Sequence, residues 1–259
     1  MNRAEILEQF SNLLDVMDDL REKCPWDRKQ TMETIRTLTI EETYELSEAI
    51  IENNSDEIKK ELGDILLHIV FYSKIGSEKG QFDIGEVCKS LIEKLIRRHP
   101  HIYGEVKVDG AEEVLQNWEQ IKLQEKGTKK NGILDGVPKG LNGLVKAYRM
   151  QEKASQVGFD WDEADKAYEK VTEEWKEYQE ATTKEDKEAE FGDYLFALVN
   201  YARLSGINPD DALARTNKKF KDRFQFMENE AEKLGRGLKD MSLDEMEDLW
   251  VKAKSSLIK

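Results

Sequence analysis

ELGDILLHIVFYSKI, at Glu61–Ile75, has a second copy farther along the chain, EFGDYLFALVNYARL at Glu190–Leu204. The two copies share six identical residues in fifteen, and six more pairs are of like character. Each copy predicts a helix that is apolar over most of its length. Because a similarity of this extent indicates a duplication, we predict that the chain contains two related modules.

The similarity extends to both sides of these two stretches. An EExxE block stands upstream of each copy, EETYE at Glu41–Glu45 and EEWKE at Glu173–Glu177, and the blocks are 132 residues apart. The downstream counterparts are Lys94, Arg98 and Trp118 in the first half, and Lys219, Arg223 and Trp250 in the second. We therefore predict an N-terminal module at 1–124, a glycine- and lysine-rich linker at 125–139, and a C-terminal module at 140–259.

The composition favours an all-α fold, with two tandem helical-bundle modules. Charged residues make up 36% of the chain, and only four prolines and sixteen glycines interrupt it, a balance typical of long solvated helices. Apolar residues at spacings of three and four predict a first helix at 4–22. A second helix is under way by Thr39, which stands at capping-box spacing from Glu42. The further predicted helices include the apolar stretch of the first copy, 83–98, a helix from Ala111, 141–157, 163–181, 185–204, 209–234 and 243–257.

Charge and composition also exclude several classes of protein. The formal net charge of -14 would repel a nucleic-acid backbone, so we expect no nucleic-acid partner. No run approaches the ~18 apolar residues that a membrane span needs, and we expect no membrane association. Cys24 and Cys88 stand far apart and outside any metal-ligand spacing, which favours a reducing, cytoplasmic location.

The acidic residues of the repeat predict a metal site in each module. Residues three apart share a helix face, so the two pairs of each module would bring four carboxylates together when their helices pack side by side. The predicted ligands are Glu42, Glu45, Glu61 and Asp64 in the first module, and Glu174, Glu177, Glu190 and Asp193 in the second. An all-oxygen set without histidine selects Mg²⁺, with Mn²⁺ as a possible substitute.

The simplest interpretation of these acidic residues is a solvent-exposed helix face without a bound ion. With 54 acidic residues in the chain, one copy of the pattern would mean little, whereas two copies in matching context favour a metal site. Each copy also carries a mid-helix glycine, Gly63 or Gly192, for which a close helix approach is one explanation. GxxxxGK[ST] is absent, which argues against P-loop chemistry.

Basic and aromatic residues downstream leave two interpretations open. Lys219 and Arg223 are four apart on one helix face and could hold phosphate oxygens, although such a pair is more often an ordinary surface pair. Trp250 could stack on a base, although an isolated tryptophan on an amphipathic helix is more often core packing.

The chain resembles the MazG family of nucleoside triphosphate pyrophosphohydrolases, in its two-module form, over essentially its whole length. The motifs that carry the resemblance are CPWD (24–27), LTIEETYE (38–45), ELGDILLHIVFY (61–72), RRHPH (97–101), WEQIK (118–122), VGFDW (157–161) and EFGDYLFALVN (190–200). The resemblance implies a helical-bundle homodimer that hydrolyses nucleoside triphosphates to monophosphate and pyrophosphate with Mg²⁺, with broad specificity and a nucleotide-pool house-cleaning role.

The same resemblance implies roles for individual residues. The C-terminal acids become the principal metal ligands, and the N-terminal acids become their counterparts. The implied nucleotide contacts are Lys219, Arg223 and Trp250, with Lys94 and Arg98 as the equivalents in the first module. We hypothesise that Glu173 and Glu41, the first glutamates of the two blocks, orient or deprotonate the attacking water.

Two alternatives remain at this stage. One is a related helical pyrophosphohydrolase with a single narrow substrate. The other is a non-enzymatic helical adaptor, in which the acids are solvated faces or a regulatory cation site. A panel of nucleotides separates the first alternative from a broad enzyme, and an assay for pyrophosphate release separates the second.

Overall fold

The computed structural model describes residues 1–110, 113–114, 117–118, 121 and 132–256. Every regular element in these ranges is helical, which confirms the all-α prediction. The chain divides into two compact units, Met1–Thr128, called unit 1 below, and Lys129–Lys259, called unit 2. Residues 125–131 of the predicted linker lie outside the described residues, as do most of the helix predicted from Ala111 and the last residue of the helix predicted to reach 257.

Unit 1 is built from helices that follow the predicted order closely. They are α1 (Arg3–Lys23), α2 (Met32–Ile51), α3 (Ser55–Glu78), α4 (Ile84–Arg98) and the short α5 (Pro100–Tyr103). Four of them begin where a side-chain oxygen accepts a hydrogen bond from a first-turn backbone N–H group. The capping residues are Asn2, Thr31, Asn54 and Asp83. Helix α3 ends before Gly80, whose φ of 63° suits glycine.

Helix α2 begins before Thr39, by which position the sequence predicted that a helix is already under way. The N-cap is Thr31, whose side chain accepts from the backbone N–H of Thr34. Thr39 lies inside the helix, where its hydroxyl donates to the carbonyl of Ile35, one turn back, and lies 2.8 Å from the hydroxyl of Tyr72. The spacing of Thr39 and Glu42 is therefore not a cap, because a threonine inside a helix can satisfy its hydroxyl on the preceding turn.

The core of unit 1 lies where α1 and α2 pack against α3. Its buried members are Met17, Ile35, Val70, Phe71 and Ile75. The apolar face of the first repeated stretch supplies three of these five residues, so this stretch organises the unit. Burial of such side chains is the principal stabilising contribution to a helical unit of this size.

Unit 2 repeats this arrangement with smaller core residues. Its helices are α6 (Gly143–Ser155), α7 (Ala164–Glu180), α8 (Lys184–Leu204), α9 (Pro209–Lys233) and α10 (Leu243–Ser256). The most extensive packing joins α7 to α8, the helices that carry the second acidic set, and α6 also packs on α8. Ala167, Val171, Ala197 and Val199 are buried along these helices. The short turn between α7 and α8 places the two acidic segments side by side.

No helix among the described residues has the length and apolar character that crossing a bilayer would require.

Candidate metal centre

Three of the four predicted acids of unit 2 meet at one point. Glu174 and Glu177 lie one turn apart on α7, and Glu190 lies on the facing part of α8. One carboxylate oxygen from each lies within 4.8 Å of the others. Asp193 follows Glu190 by one turn and is exposed, and it is not part of this three-residue group. The structure therefore brings together the carboxylates that the i, i+3 spacing predicted, with Asp193 at the edge.

A lysine that the sequence interpretation missed contacts this group. The Nζ of Lys170 lies 2.7 Å from Oε1 of Glu174 and 3.0 Å from Oε1 of Glu173. These hydrogen bonds, first of all the one to Glu174, raise the pKa of Lys170 above its usual value. Lys170 precedes Glu174 by four residues, the spacing of a helical ion pair, and this signal was available in the sequence. In the metal-free protein the ammonium group neutralises part of the acidic charge.

The electrostatics of unit 2 match a cation-binding group. The pKa of Glu177 is raised, first by desolvation and then by the negative charge of Glu174, although Lys170 lowers it in part. The raised pKa of Glu177 thus reflects its loss of solvation and, after that, the repulsion by the neighbouring carboxylates. A bound divalent cation would remove this repulsion. Because every donor is a carboxylate oxygen, the residues fit a hard ion such as Mg²⁺.

Unit 1 contains an equivalent group with a more buried member. Glu42 and Glu45 on α2 and Glu61 on α3 place one oxygen each within 4.8 Å of one another. Glu61 is only 2% exposed, and its Oε1 accepts a hydrogen bond of 2.7 Å from Lys60. Its Oε2 is buried without a hydrogen-bond partner in the described part of the chain. Burying a carboxylate oxygen without a partner costs free energy, and a bound cation would offset that cost.

Asp64 belongs to the surroundings of this first group. The pKa of Glu42 is raised, chiefly by desolvation and next by the negative charge of Asp64, followed by that of Glu45. Asp64 is half-buried on α3, one turn after Glu61. Asp64 thus acts electrostatically on Glu42, although Glu42, Glu45 and Glu61 form the closest group.

The mid-helix glycines have no close neighbour. An added Cβ atom at Gly63 or Gly192 would meet nothing within 4 Å among the described residues. The expectation that these glycines permit a close helix approach is therefore wrong within each unit.

The first glutamates of the two blocks lie outside the closest groups. Glu173 is exposed and pairs with Lys170, and Glu41 is exposed on α2. Their solvent access is compatible with contact to water at the edge of the acidic groups. The roles assigned to them stay predictions.

The two downstream arginines form cation–π pairs with tryptophans. In unit 2 the guanidinium carbon of Arg223 on α9 lies 5.5 Å from the ring centre of Trp250 on α10, and the Phe220 ring lies 5.2 Å from the same tryptophan. Lys219 is exposed on α9. In unit 1, Arg98 lies 5.3 Å from the Trp118 ring. Lys94, the counterpart of Lys219, is exposed on α4. An Arg–Trp contact thus occurs in both halves, at positions that the repeat aligns.

These features define a helical protein with a duplicated carboxylate centre suited to a divalent cation. The family described as "MazG nucleotide pyrophosphohydrolase domain" matches residues 30–103 and 163–225, which contain both acidic sets. The chain belongs to this family.

Relatives over nearly the full length support this assignment. The chain is 45% identical over 256 residues to the nucleoside triphosphate pyrophosphohydrolase/pyrophosphatase MazG of Thermotoga maritima, covering 98% of each protein. It is 38% identical over 257 residues to the nucleoside triphosphate pyrophosphohydrolase of Escherichia coli K12, covering 96% of this chain and 98% of that protein. A third relative, the uncharacterized protein YabN of Bacillus subtilis, is 46% identical over 257 residues, which make up 53% of its length.

Proposed function

We propose that the protein hydrolyses nucleoside triphosphates to monophosphate and pyrophosphate with Mg²⁺, acts on a broad range of ribo- and deoxyribonucleotides, and clears unwanted nucleotides from the cellular pool. Its family makes it a hydrolase of phosphoric anhydride bonds. The observation that carries the proposal is the group of three carboxylates between α7 and α8. Carboxylates from facing helices are a common way to build such a centre.

The metal ligands in unit 2 would be Glu174, Glu177 and Glu190, with Asp193 completing the set from the edge. Mg²⁺, or Mn²⁺ in its place, supplies positive charge to phosphate oxygens and lowers the pKa of water when bound. The protein contributes the arrangement of the carboxylates, which the packing of α7 on α8 holds in place. Glu42, Glu45, Glu61 and Asp64 would form the corresponding set in unit 1.

Other side chains would handle the water and the phosphates. Glu173, exposed next to the group, would orient or deprotonate the attacking water, and Glu41 would do so in unit 1. Lys219 and Arg223 carry positive charge on α9 and would bind phosphate oxygens. Trp250, already stacked with Arg223, would present its ring to the nucleotide. Lys94 and Arg98 are the counterparts in unit 1.

Two variants test the assignment of the metal ligands. One replaces the four acids of unit 2 by alanine, and the other replaces the four acids of unit 1. Pyrophosphate release from ATP with Mg²⁺ should be lost in the first variant and largely retained in the second, because the resemblance makes the C-terminal acids the principal metal ligands. Each variant is the control for the other. Undiminished release by both would refute the proposed centre.

The breadth of the activity needs a separate assay. Pyrophosphate release from all common nucleoside and deoxynucleoside triphosphates should proceed at comparable kcat/KM values. Turnover of a single nucleotide would support the narrow-specificity alternative, and no release of phosphate or pyrophosphate from any of them would support a cation-binding adaptor.

A homodimer is part of the proposal, because matching apolar residues are exposed in both units. Leu62 is 52% exposed and Leu66 38% on α3, and Phe191 and Leu195, their counterparts on α8, are 43% and 42% exposed. Such faces cost free energy in water, and a second copy of the chain would cover them. Light scattering after gel filtration should give twice the mass of the chain, and Leu66→Lys should weaken the assembly. A wild-type monomer at micromolar concentration would refute this part.

A cytoplasmic location and the absence of a nucleic-acid partner stay predictions. Cys24 and Cys88 are free cysteines, which agrees with a reducing compartment.

A further inference from the structure

The two acidic groups differ in which of their carboxylates is buried. In unit 1 the buried acid is Glu61 on α3, whereas Glu42 on α2 is half-buried. In unit 2 the buried acid is Glu174 on α7, whereas Glu190 on α8, the counterpart of Glu61 in the repeat, is half-buried. The groups contain the same residue types, but the deepest carboxylate lies on the second helix of the pair in unit 1 and on the first in unit 2.

Glu61 lies on the helix that organises the core of unit 1. Helix α3 supplies three of the five buried core residues of this unit, and α2 supplies a fourth, Ile35. Helices α2 and α3 pack directly against each other. An ion held by Glu42 and Glu45 on α2 and by Glu61 on α3 would therefore join two helices of the core.

The protein satisfies only one oxygen of the Glu61 carboxylate. Its Oε1 accepts a hydrogen bond of 2.7 Å from Lys60, whose side chain is 58% exposed. Its Oε2 is buried and has no hydrogen-bond partner among the described residues. An oxygen of the same carboxylate lies within 4.8 Å of oxygens of Glu42 and Glu45. Because folding has already removed Oε2 from solvent, a cation at this group gains attraction without first removing hydration from that atom.

In unit 2 the protein supplies a positive charge of its own to the buried acid. The Nζ of Lys170 lies 2.7 Å from Oε1 of Glu174 and 3.0 Å from Oε1 of Glu173. Within the described part of unit 2, no carboxylate oxygen is both buried and unpartnered. Glu177 and Asp193 are exposed, so their carboxylates keep hydration that an ion has to replace. An ion that enters unit 2 therefore competes with Lys170 and with water.

We propose that unit 1 holds a resident divalent cation, which stays bound without nucleotide and stabilises the packing of α2 on α3, whereas the ion of unit 2 exchanges readily with solvent. The proposal rests on the metal ligands proposed above and adds the affinity and the role of the ion in unit 1. The site of unit 1 should bind the ion at least about tenfold more tightly than that of unit 2. This factor equals about 1.4 kcal/mol, which lies within the cost of one buried polar group without a partner.

The first test is a titration of the full chain with Mn²⁺ in the absence of nucleotide. Mn²⁺ accepts the same oxygen ligands as Mg²⁺, and electron paramagnetic resonance counts its free form. The wild type should show a tight and a weak class of sites. Glu61→Gln should lose the tight class and keep the weak one, and the matched change Glu190→Gln should do the reverse. Glu42→Gln should also remove the tight class, which keeps the test decisive if Glu61→Gln fails to fold.

Thermal unfolding separates an ion ligand from a merely structural residue. Without a divalent cation, Glu61→Gln should have a Tm equal to or above that of the wild type, because the amide is neutral and can donate to the neighbouring carboxylates. With Mg²⁺ its Tm should lie below that of the wild type, since only the wild type gains the stabilisation of an ion in unit 1. An equal drop of Tm under both conditions would overturn the proposal.

Two results of the titration would also overturn it. One is a single class of sites to which Glu61→Gln and Glu190→Gln contribute equally, and the other is loss of the tight class in Glu190→Gln alone. Neither measurement depends on hydrolysis. A tight site in unit 1 of a chain that hydrolyses no triphosphate would support the resident ion and refute the proposed function. Hydrolysis without a tight site would do the opposite.

Discussion

Glu174→Gln should abolish the stabilisation of unit 2 by Mg²⁺ and change the stability of the metal-free unit only slightly. The substitution removes the negative charge of Glu174 and with it the attraction between its carboxylate and the Lys170 ammonium group, 2.7 Å away. That attraction is about 6 kcal/mol at an effective dielectric constant of about 20. The substitution also removes the repulsion by Glu190 within 4.8 Å, about 3.5 kcal/mol on the same basis, and a further solvent-screened repulsion by Glu177. Lys170 is 39% exposed, which weakens the attraction. The net change should stay below about 2 kcal/mol.

The effect on metal binding should be much larger. A cation present at about one hundred times its Kd stabilises the folded state by about 2.7 kcal/mol. For a unit of this size, that free energy raises the Tm by on the order of 10 °C. Glu174 is buried at the centre of the acidic group, and glutamine there offers a neutral oxygen in place of a charged one. The rise should therefore disappear in the variant.

The assay is thermal unfolding with and without MgCl₂, in a chain whose first acidic set is already neutralised by Glu42→Gln and Glu61→Gln. Any remaining rise of Tm then reports on unit 2. Glu180→Gln is the matched control, since Glu180 lies on the same helix outside the group. An equal Mg²⁺-dependent rise in Glu174→Gln and in its parent would contradict the metal assignment. A large drop in the metal-free Tm would instead show that Glu174 is chiefly structural.

Three further predictions concern the same unit. The pKa of Glu177 is raised above its ordinary value of 4.5, so the folded state binds this proton more tightly than the unfolded state does. The metal-free protein should therefore lose stability as the pH rises from 4.5 through the raised pKa, and Glu177→Gln should reduce that loss in denaturant titrations. Lys170→Met should lower the metal-free Tm but tighten Mg²⁺ binding in calorimetry, because the ammonium competes for Glu174. Arg223→Lys should raise the KM for ATP severalfold without unfolding the protein, because lysine lacks the planar guanidinium group that lies over Trp250 and can bind phosphate. An unchanged KM would contradict a phosphate contact.

The periodicity of the apolar residues was sufficient to predict most helices. The predicted 83–98 and 185–204 agree closely with α4 at Ile84–Arg98 and α8 at Lys184–Leu204. The sequence placed α2 under way by Thr39 but did not give its first residue, because a Thr–x–x–Glu spacing has the same form at a helix end and inside a helix. Only the structure shows that Thr31 caps α2, whereas Thr39 bonds back to Ile35.

The acidic pairs of the site likewise separate what sequence spacing predicts from what only helix packing decides. Their i, i+3 spacing predicts that Glu174 and Glu177 share a face, and the repeat predicts which second helix carries the partners. Spacing does not reveal how deeply each side chain is buried. Glu174 became the buried centre and Asp193 the exposed edge only through the packing of α7 on α8.

The sequence by itself determined the helical class, the duplication and the acidic residues that face one another, because these depend on residue type and on separations of a few positions along a helix. Tertiary structure decided the contact of Lys170 with the acidic group, the burial of Glu174 and the unpartnered Oε2 of Glu61. These features depend on which side chains of different helices occupy the same space, and separations along the chain do not encode that.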